Sequence, residues 1–150
     1  MGASTVLMAA GKKLPSNVKG VLADCGFTTA EEIIKKCSKD LHLPAKLLFP
    51  FIKLGARLFG GFDLCEYSAL EGVKNSNLPI IFVHNDGDDF VPFEMSKKLY
   101  ETADCPKHFV EISGDGHGLS YLLDNKKYFD NVTEFFTQNG VETELLDNVL

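Results

Sequence analysis

The chain has 150 residues, is 45% hydrophobic and 24% charged, and carries a formal charge of −6, with a pI near 5.1. That make-up describes one globular domain able to bury a core, and it excludes disordered and fibrous classes. Basic residues cluster no further than pairs such as Lys12–Lys13 and Lys35–Lys36, which argues against a nucleic-acid or membrane surface and leaves small molecules or protein as partners.

In chain order, Gly2–Ala10 is small and apolar and reads as a short buried helix stopped at Gly11, with Lys12 and Lys13 at its C-terminal end. Val18–Ala23 reads as a strand closed by the turn Asp24-Cys25-Gly26. Thr28 or Thr29 caps the next helix, with Glu31 and Glu32 in its first turn and Ile33, Ile34 and Cys37 on one stripe. Pro44 opens a helix to about Leu58 with so little polar face that it is expected to be deeply buried or to line an apolar cavity; Gly60-Gly61 ends it. Phe62–Asn77 is irregular, with a short helix around Ala69–Lys74. Pro79–His84 is an apolar strand, Pro92 and Phe93 start a helix to about Thr102, and Lys107–Ile112 is a strand whose weak alternation places it nearer the sheet edge. A helical turn at Leu119–Leu123, a helix at Lys126–Gln138 and an acidic end at Val141–Leu150, a loose tail or an extra turn, complete the chain.

Three strands alternating with helices define an α/β fold with a parallel sheet and right-handed crossovers. The stretch Gly26–Leu70 is far longer than one crossover helix needs, so residues of about 27–70 are expected to form a helical cap over the strand ends. Cys25, Cys37, Cys65 and Cys105 form no CxxC pair, which removes zinc ribbons and thioredoxin-type sites and predicts reduced thiols. No metal and no cofactor are expected. Val6–Ala10 is too short for a signal peptide or a membrane span, so a cytoplasmic location is expected.

The chemistry concentrates in PIIFVHNDGDDFVP, Pro79–Pro92, and GDGHG, Gly114–Gly118. A buried parallel strand ending in a turn rich in aspartate and glycine delivers a carboxylate to the sheet rim, with Asp88 the candidate. His117 lies between glycines on a loop at the same edge, with Ser120 beside it, and Asp88 and His117 together form two-thirds of a nucleophile–base–orienter relay. The alternative reading of Asp88 is a turn aspartate capping the helix at Phe93. Asp86, Asp88 and Asp89 lack the EF-hand spacing that calcium would need. His84 is expected to be structural, bonding beneath the acid loop, and His42 and His108 to be surface residues.

These motifs resemble the C-terminal half of an α/β-hydrolase, close to the serine esterase and peptidase-like branch with a short helical cap. The family's acid turn, HG-x-x-D-x-x-VP, matches His84–Pro92 with Asp88 on the acid position, and its histidine loop matches Gly116-His117-Gly118. Met1-Gly2 matches the last two positions of the nucleophile elbow G-x-S-x-G, so the resemblance puts the serine immediately before Met1.

The resemblance implies a carboxylesterase-like serine hydrolase represented by its acid and histidine, with Asp88 as orienter and His117 as general base, and inactive alone. It makes the Met1 nitrogen the first oxyanion-hole donor. Ser4, about one helical turn beyond the elbow, is not expected to substitute for the serine. Phe51 of the cap and Phe90 of the acid turn are expected to contact substrate. Asp24 and Cys25 are open between a pocket wall and plain turn chemistry, as Leu47–Phe59 is between cap core and the wall of an acyl pocket. The expected partners are a small-molecule ester or amide once an N-terminal half completes the site, and a second copy or complementing fragment on an exposed sheet edge. A non-catalytic remnant or interaction module, dimeric through that edge, is the alternative.

Overall fold

Ile80, Ile81, Phe82 and Val83 are all fully buried, which requires the strand that carries them to be covered on both faces. That strand is the centre of the sheet. In the computed structural model, which describes residues 1–143, the elements are α1 (Gly2–Ala10), β1 (Val21–Asp24), α2 (Ala30–Asp40), α3 (Ala45–Gly55) running into a π-helical turn at Ala56–Gly60, α4 (Ala69–Asn75), β2 (Ile80–Gly87), α5 (Phe93–Thr102), β3 (Lys107–Asp115), α6 (Ser120–Leu123) and α7 (Asn125–Gln138). Most of the predicted tail Val141–Leu150 lies outside the described residues.

The strands are parallel in the order β1-β2-β3, with Val21 opposite Ile80 and Ile80 opposite Lys107. Ile80 and Phe82 face a core shared with Leu7, Val73 and Leu99 of α1, α4 and α5. Ile81 and Val83 face Val132, Phe135 and Phe136 of α7. The result is an α/β sheet with helices on both faces and a helical excursion between β1 and β2.

Several boundaries differ from the sequence reading. β1 begins at Val21 rather than Val18. β2 and β3 run past their apolar stretches to Gly87 and Asp115, because Asn85 pairs with Ile112 and Gly87 with Asp115 across an irregular register. Gly11 does not stop α1 by a left-handed turn: its φ is −80°. It allows a close backbone approach instead, since a Cβ there would meet Gly72 Cα at 2.7 Å, and a Cβ on Gly72 would meet the Leu7 carbonyl oxygen at 2.1 Å. Gly72→Ala is therefore expected to force α1 off α4 and to cost about 1–3 kcal/mol, read as a lower urea midpoint.

The largest correction concerns α3. Its apolar character does not place it deep inside: only Phe49 is buried, by packing on α2, and Leu47, Phe51, Leu54 and Leu58 face outward.

Candidate active site

Asp88 sits in the turn that follows β2, and its two oxygens do different work. Oδ1 accepts the backbone N–H groups of Phe90 and Val91, both at 2.9 Å, which fixes the turn. Oδ2 lies 2.7 Å from His117 Nδ1 and 3.2 Å from His84 Nε2. Burial of Asp88 pushes its carboxyl pKa up. The hydrogen bond from His117, the Val91 and Phe90 N–H groups and the His117 charge outweigh that and hold it below the usual range. The helix-capping reading of Asp88 does not fit, because the N-cap of α5 is Pro92 and no side chain caps the helix.

His84 is fully buried beneath this turn, where the sequence reading expected it. Its Nε2 faces only acceptors, Asp88 Oδ2 and the Val91 carbonyl at 3.0 Å, so it carries the proton. Burial, opposed by the Asp88 charge, lowers its pKa; Ser96 Oγ lies 2.6 Å from its Nδ1 and 3.0 Å from the Gly26 carbonyl.

His117 is partly exposed, its side chain at 32%. Donation from Nδ1–H to Asp88 leaves the lone pair on Nε2, the arrangement a general base requires. The Phe90 ring lies against it, centroids 5.1 Å apart. Gly114, Gly116 and Gly118 bracket the histidine with φ of 141°, 95° and 69°, conformations that favour glycine and let the loop turn back over the strand ends.

That loop is held from below by a polar group the sequence reading did not assemble. Asn85 Nδ2 donates to the Gly114 and Gly116 carbonyls at 3.0 and 2.6 Å, and Asp86 Oδ1 accepts from Gly114 N–H at 2.9 Å. Ser120 Oγ donates to Asp24 Oδ1 at 2.7 Å. Cys25 turns the chain out of β1 with φ 55° and sets its thiol 3.1 Å from Asp24 Oδ1. The only signal for this group was the polar run after each apolar strand, where turn chemistry and loop anchoring use the same residue types.

Asp24 and Cys25 thus underpin the histidine loop. Cys25 Sγ, an Asp88 oxygen and a His117 ring nitrogen lie within 4.8 Å of one another. This donor set suits a metal poorly, because Asp88 Oδ2 is already shared by two histidines and a metal-binding cysteine must be a thiolate. Burial, the hydrogen bond to Asp24 and the Asp24 charge push the thiol up to about 12.

The remaining predicted residues stand elsewhere. Phe51 is on the outward stripe of α3. Met1 is exposed at the head of α1, where its carbonyl accepts from Thr5 N–H. Ser4 is fully buried and committed to Phe27, accepting from its N–H at 2.8 Å and donating to its carbonyl at 2.9 Å. That pair ties the head of α1 to the turn leaving β1. His42 is exposed, and exposed His108 bonds Asn131 at 3.0 Å.

A parallel sheet with helices on both faces and an acid–histidine pair beyond its strand ends is the arrangement of an α/β-hydrolase fold, present here in part. Solved structures agree. The acylaminoacyl peptidase of Pyrococcus horikoshii superposes on 95% of this chain and 23% of its own, with a TM-score of 0.61 and 15% identity. An esterase of Pyrococcus furiosus superposes on 92% of this chain and 50% of its own, with a TM-score of 0.59 and 19% identity. Among curated proteins, the uncharacterized protein YqkD of Bacillus subtilis is 29% identical over 145 residues, 96% of this chain and 48% of that protein. The chain thus spans about half the length of that relative. No family model matches the sequence.

Proposed function

We propose that this chain carries the acid and base of a carboxylesterase-like serine hydrolase, with the serine supplied by a segment outside the 150 residues. The observation that carries the reading is the 2.7 Å contact of His117 Nδ1 with Asp88 Oδ2, which commits Nδ1–H and frees Nε2 on a partly exposed loop. In the completed site His117 Nε2 takes the serine proton as the hydroxyl attacks the ester or amide carbonyl, then returns it to the leaving group. Water releases the acyl group by the same route, and Asp88 stays ionised throughout. The link between Ser4 and Phe27 supports this reading, because it holds the head of α1 beside the end of β1, near where an elbow must deliver its serine. A backbone N–H at that head is the oxyanion donor.

A second reading is favoured by the free side of β1. There Val6, Leu14, Val18, Val21 and Leu22 border an apolar groove of about 300 Å³, the kind of edge that pairs with another chain. A non-catalytic module would use it to bind a second copy. One experiment separates the two. The pure chain is assayed on a short-chain p-nitrophenyl ester with and without the N-terminal half of YqkD, and its mass is followed by sedimentation. Turnover that appears only with the added half supports the hydrolase. A dimer that stays inactive in both assays supports the module.

A further inference from the structure

From Leu41 to Phe62 the sequence holds Lys46, Lys53, Arg57 and His42 but no acidic, hydroxyl or amide side chain. Within it, Leu47, Phe51, Leu54 and Leu58 recur at spacings of four, three and four, one face of a helix. They are 64%, 66%, 52% and 69% exposed. Phe59 continues the surface at 92%. Phe49 on the opposite face supplies the packing against α2, and the outer stripe takes no part in the core of the described residues.

We propose that this face of the cap docks on an anionic lipid surface, with α3 lying in the interfacial plane. Charge selects the partner. Leu41–Phe62 carries three basic and no acidic side chains, although residues 27–70 together carry six basic and five acidic, whereas the whole chain is at −6, so the acidic balance that argues against a membrane for the chain at large does not describe the segment that bears the stripe. Lys53 and Arg57 both pair with Asp63, and Lys46 is exposed beside the stripe.

Chemistry selects lipid over protein. A protein interface makes about one hydrogen bond per 100–200 Å², and apart from His42 no side chain of this segment accepts one. Acyl chains require none. A second copy would set one basic segment against another. The helix is only about 16 Å long at its 11 residues, and among the described residues no helix is long and apolar enough to cross a membrane. It therefore lies on the surface.

The test is co-sedimentation of the 150-residue chain with vesicles of phosphatidylglycerol or of phosphatidylcholine. Binding at low salt is expected to favour phosphatidylglycerol by at least about tenfold and to fall by at least about tenfold in Phe51→Asp/Leu58→Asp. The chain has no tryptophan, so Phe51→Trp adds a sole fluorophore whose emission is expected to shift to the blue with phosphatidylglycerol and to be quenched by brominated lipid. Absence of binding, an unshifted Phe51→Trp spectrum, or a dimer that the double aspartate variant dissociates would each overturn the proposal. The result is independent of the relay, since no step of it involves Asp88 or His117.

Discussion

His117→Ala is expected to lower ester turnover of the completed site by on the order of 10⁶, and Asp88→Asn by on the order of 10⁴. The first removes the only proposed proton acceptor. The second acts through the tautomer. Asp88 Oδ2 meets two N–H donors, from His117 and His84, and an asparagine Nδ2 there would oppose both. His117 relieves the conflict by moving its proton to Nε2, which leaves no lone pair facing the substrate. Oδ1 of the asparagine still accepts from Phe90 and Val91, so the turn survives at a cost of about 1–3 kcal/mol. Steady-state kinetics and urea unfolding on the same variant check both parts, and full turnover by Asp88→Asn would remove Asp88 from the relay.

The same variant alters the acid limb of stability. Asp88 titrates below its ordinary 3.8 in the folded chain, so its contribution is present above that value and is lost as pH falls through the lower folded value. His84, held below its ordinary 6.5, begins to cost stability earlier, as pH falls under 6.5 and the unfolded chain takes up a proton that the buried ring refuses. In both windows the unfolded state binds more protons, so stability rises with pH. Asp88→Asn is expected to abolish the lower step and keep the upper one.

Phe82→Ala is expected to cost about 3–5 kcal/mol. Phe82 is fully buried at the middle of β2 and meets Tyr100 edge-on with centroids 6.0 Å apart. Its neighbours Leu7, Val73 and Leu99 come from three helices and cannot all close on the space left behind. Against a typical stability of about 5–15 kcal/mol, a loss of that size brings the chain near its unfolding threshold. The urea midpoint should fall with an unchanged slope, while Phe51→Ala on the exposed stripe should shift stability by no more than about 0.5 kcal/mol. Equal losses at the two positions would contradict the assigned core.

The sequence reading succeeds where composition and burial coincide. Pro79–Val83 has no polar residue and is covered on both faces, so the apolar run and the strand are the same signal. The glycines around His117 likewise mark a loop. Elsewhere the two separate. Asn85, Asp86 and Gly87 extend β2 although nothing in their types favours a strand, because the partner strand, not propensity, sets where a ladder ends. The α3 segment reads as buried because hydropathy counts apolar residues without knowing which face has a neighbour. Hooks such as that of Ser120 on Asp24 join residues far apart in sequence, so local spacing carries no trace of them.

The cap leaves the domain at Thr28 and returns at Ala69, and these two residues meet: Ala69 N–H donates to the Thr28 carbonyl at 3.1 Å. An excursion whose ends touch is a module. Lengthening the part beyond α2 changes the entropy of closing one loop, which grows only with the logarithm of its length, whereas α2 itself braces the acid turn, where Ile33 packs with Val91 and Lys36 donates to the Asp89 carbonyl. Exchange of the stretch beyond α2 by recombination would therefore disturb the Asp88–His117 geometry less than exchange of the whole excursion.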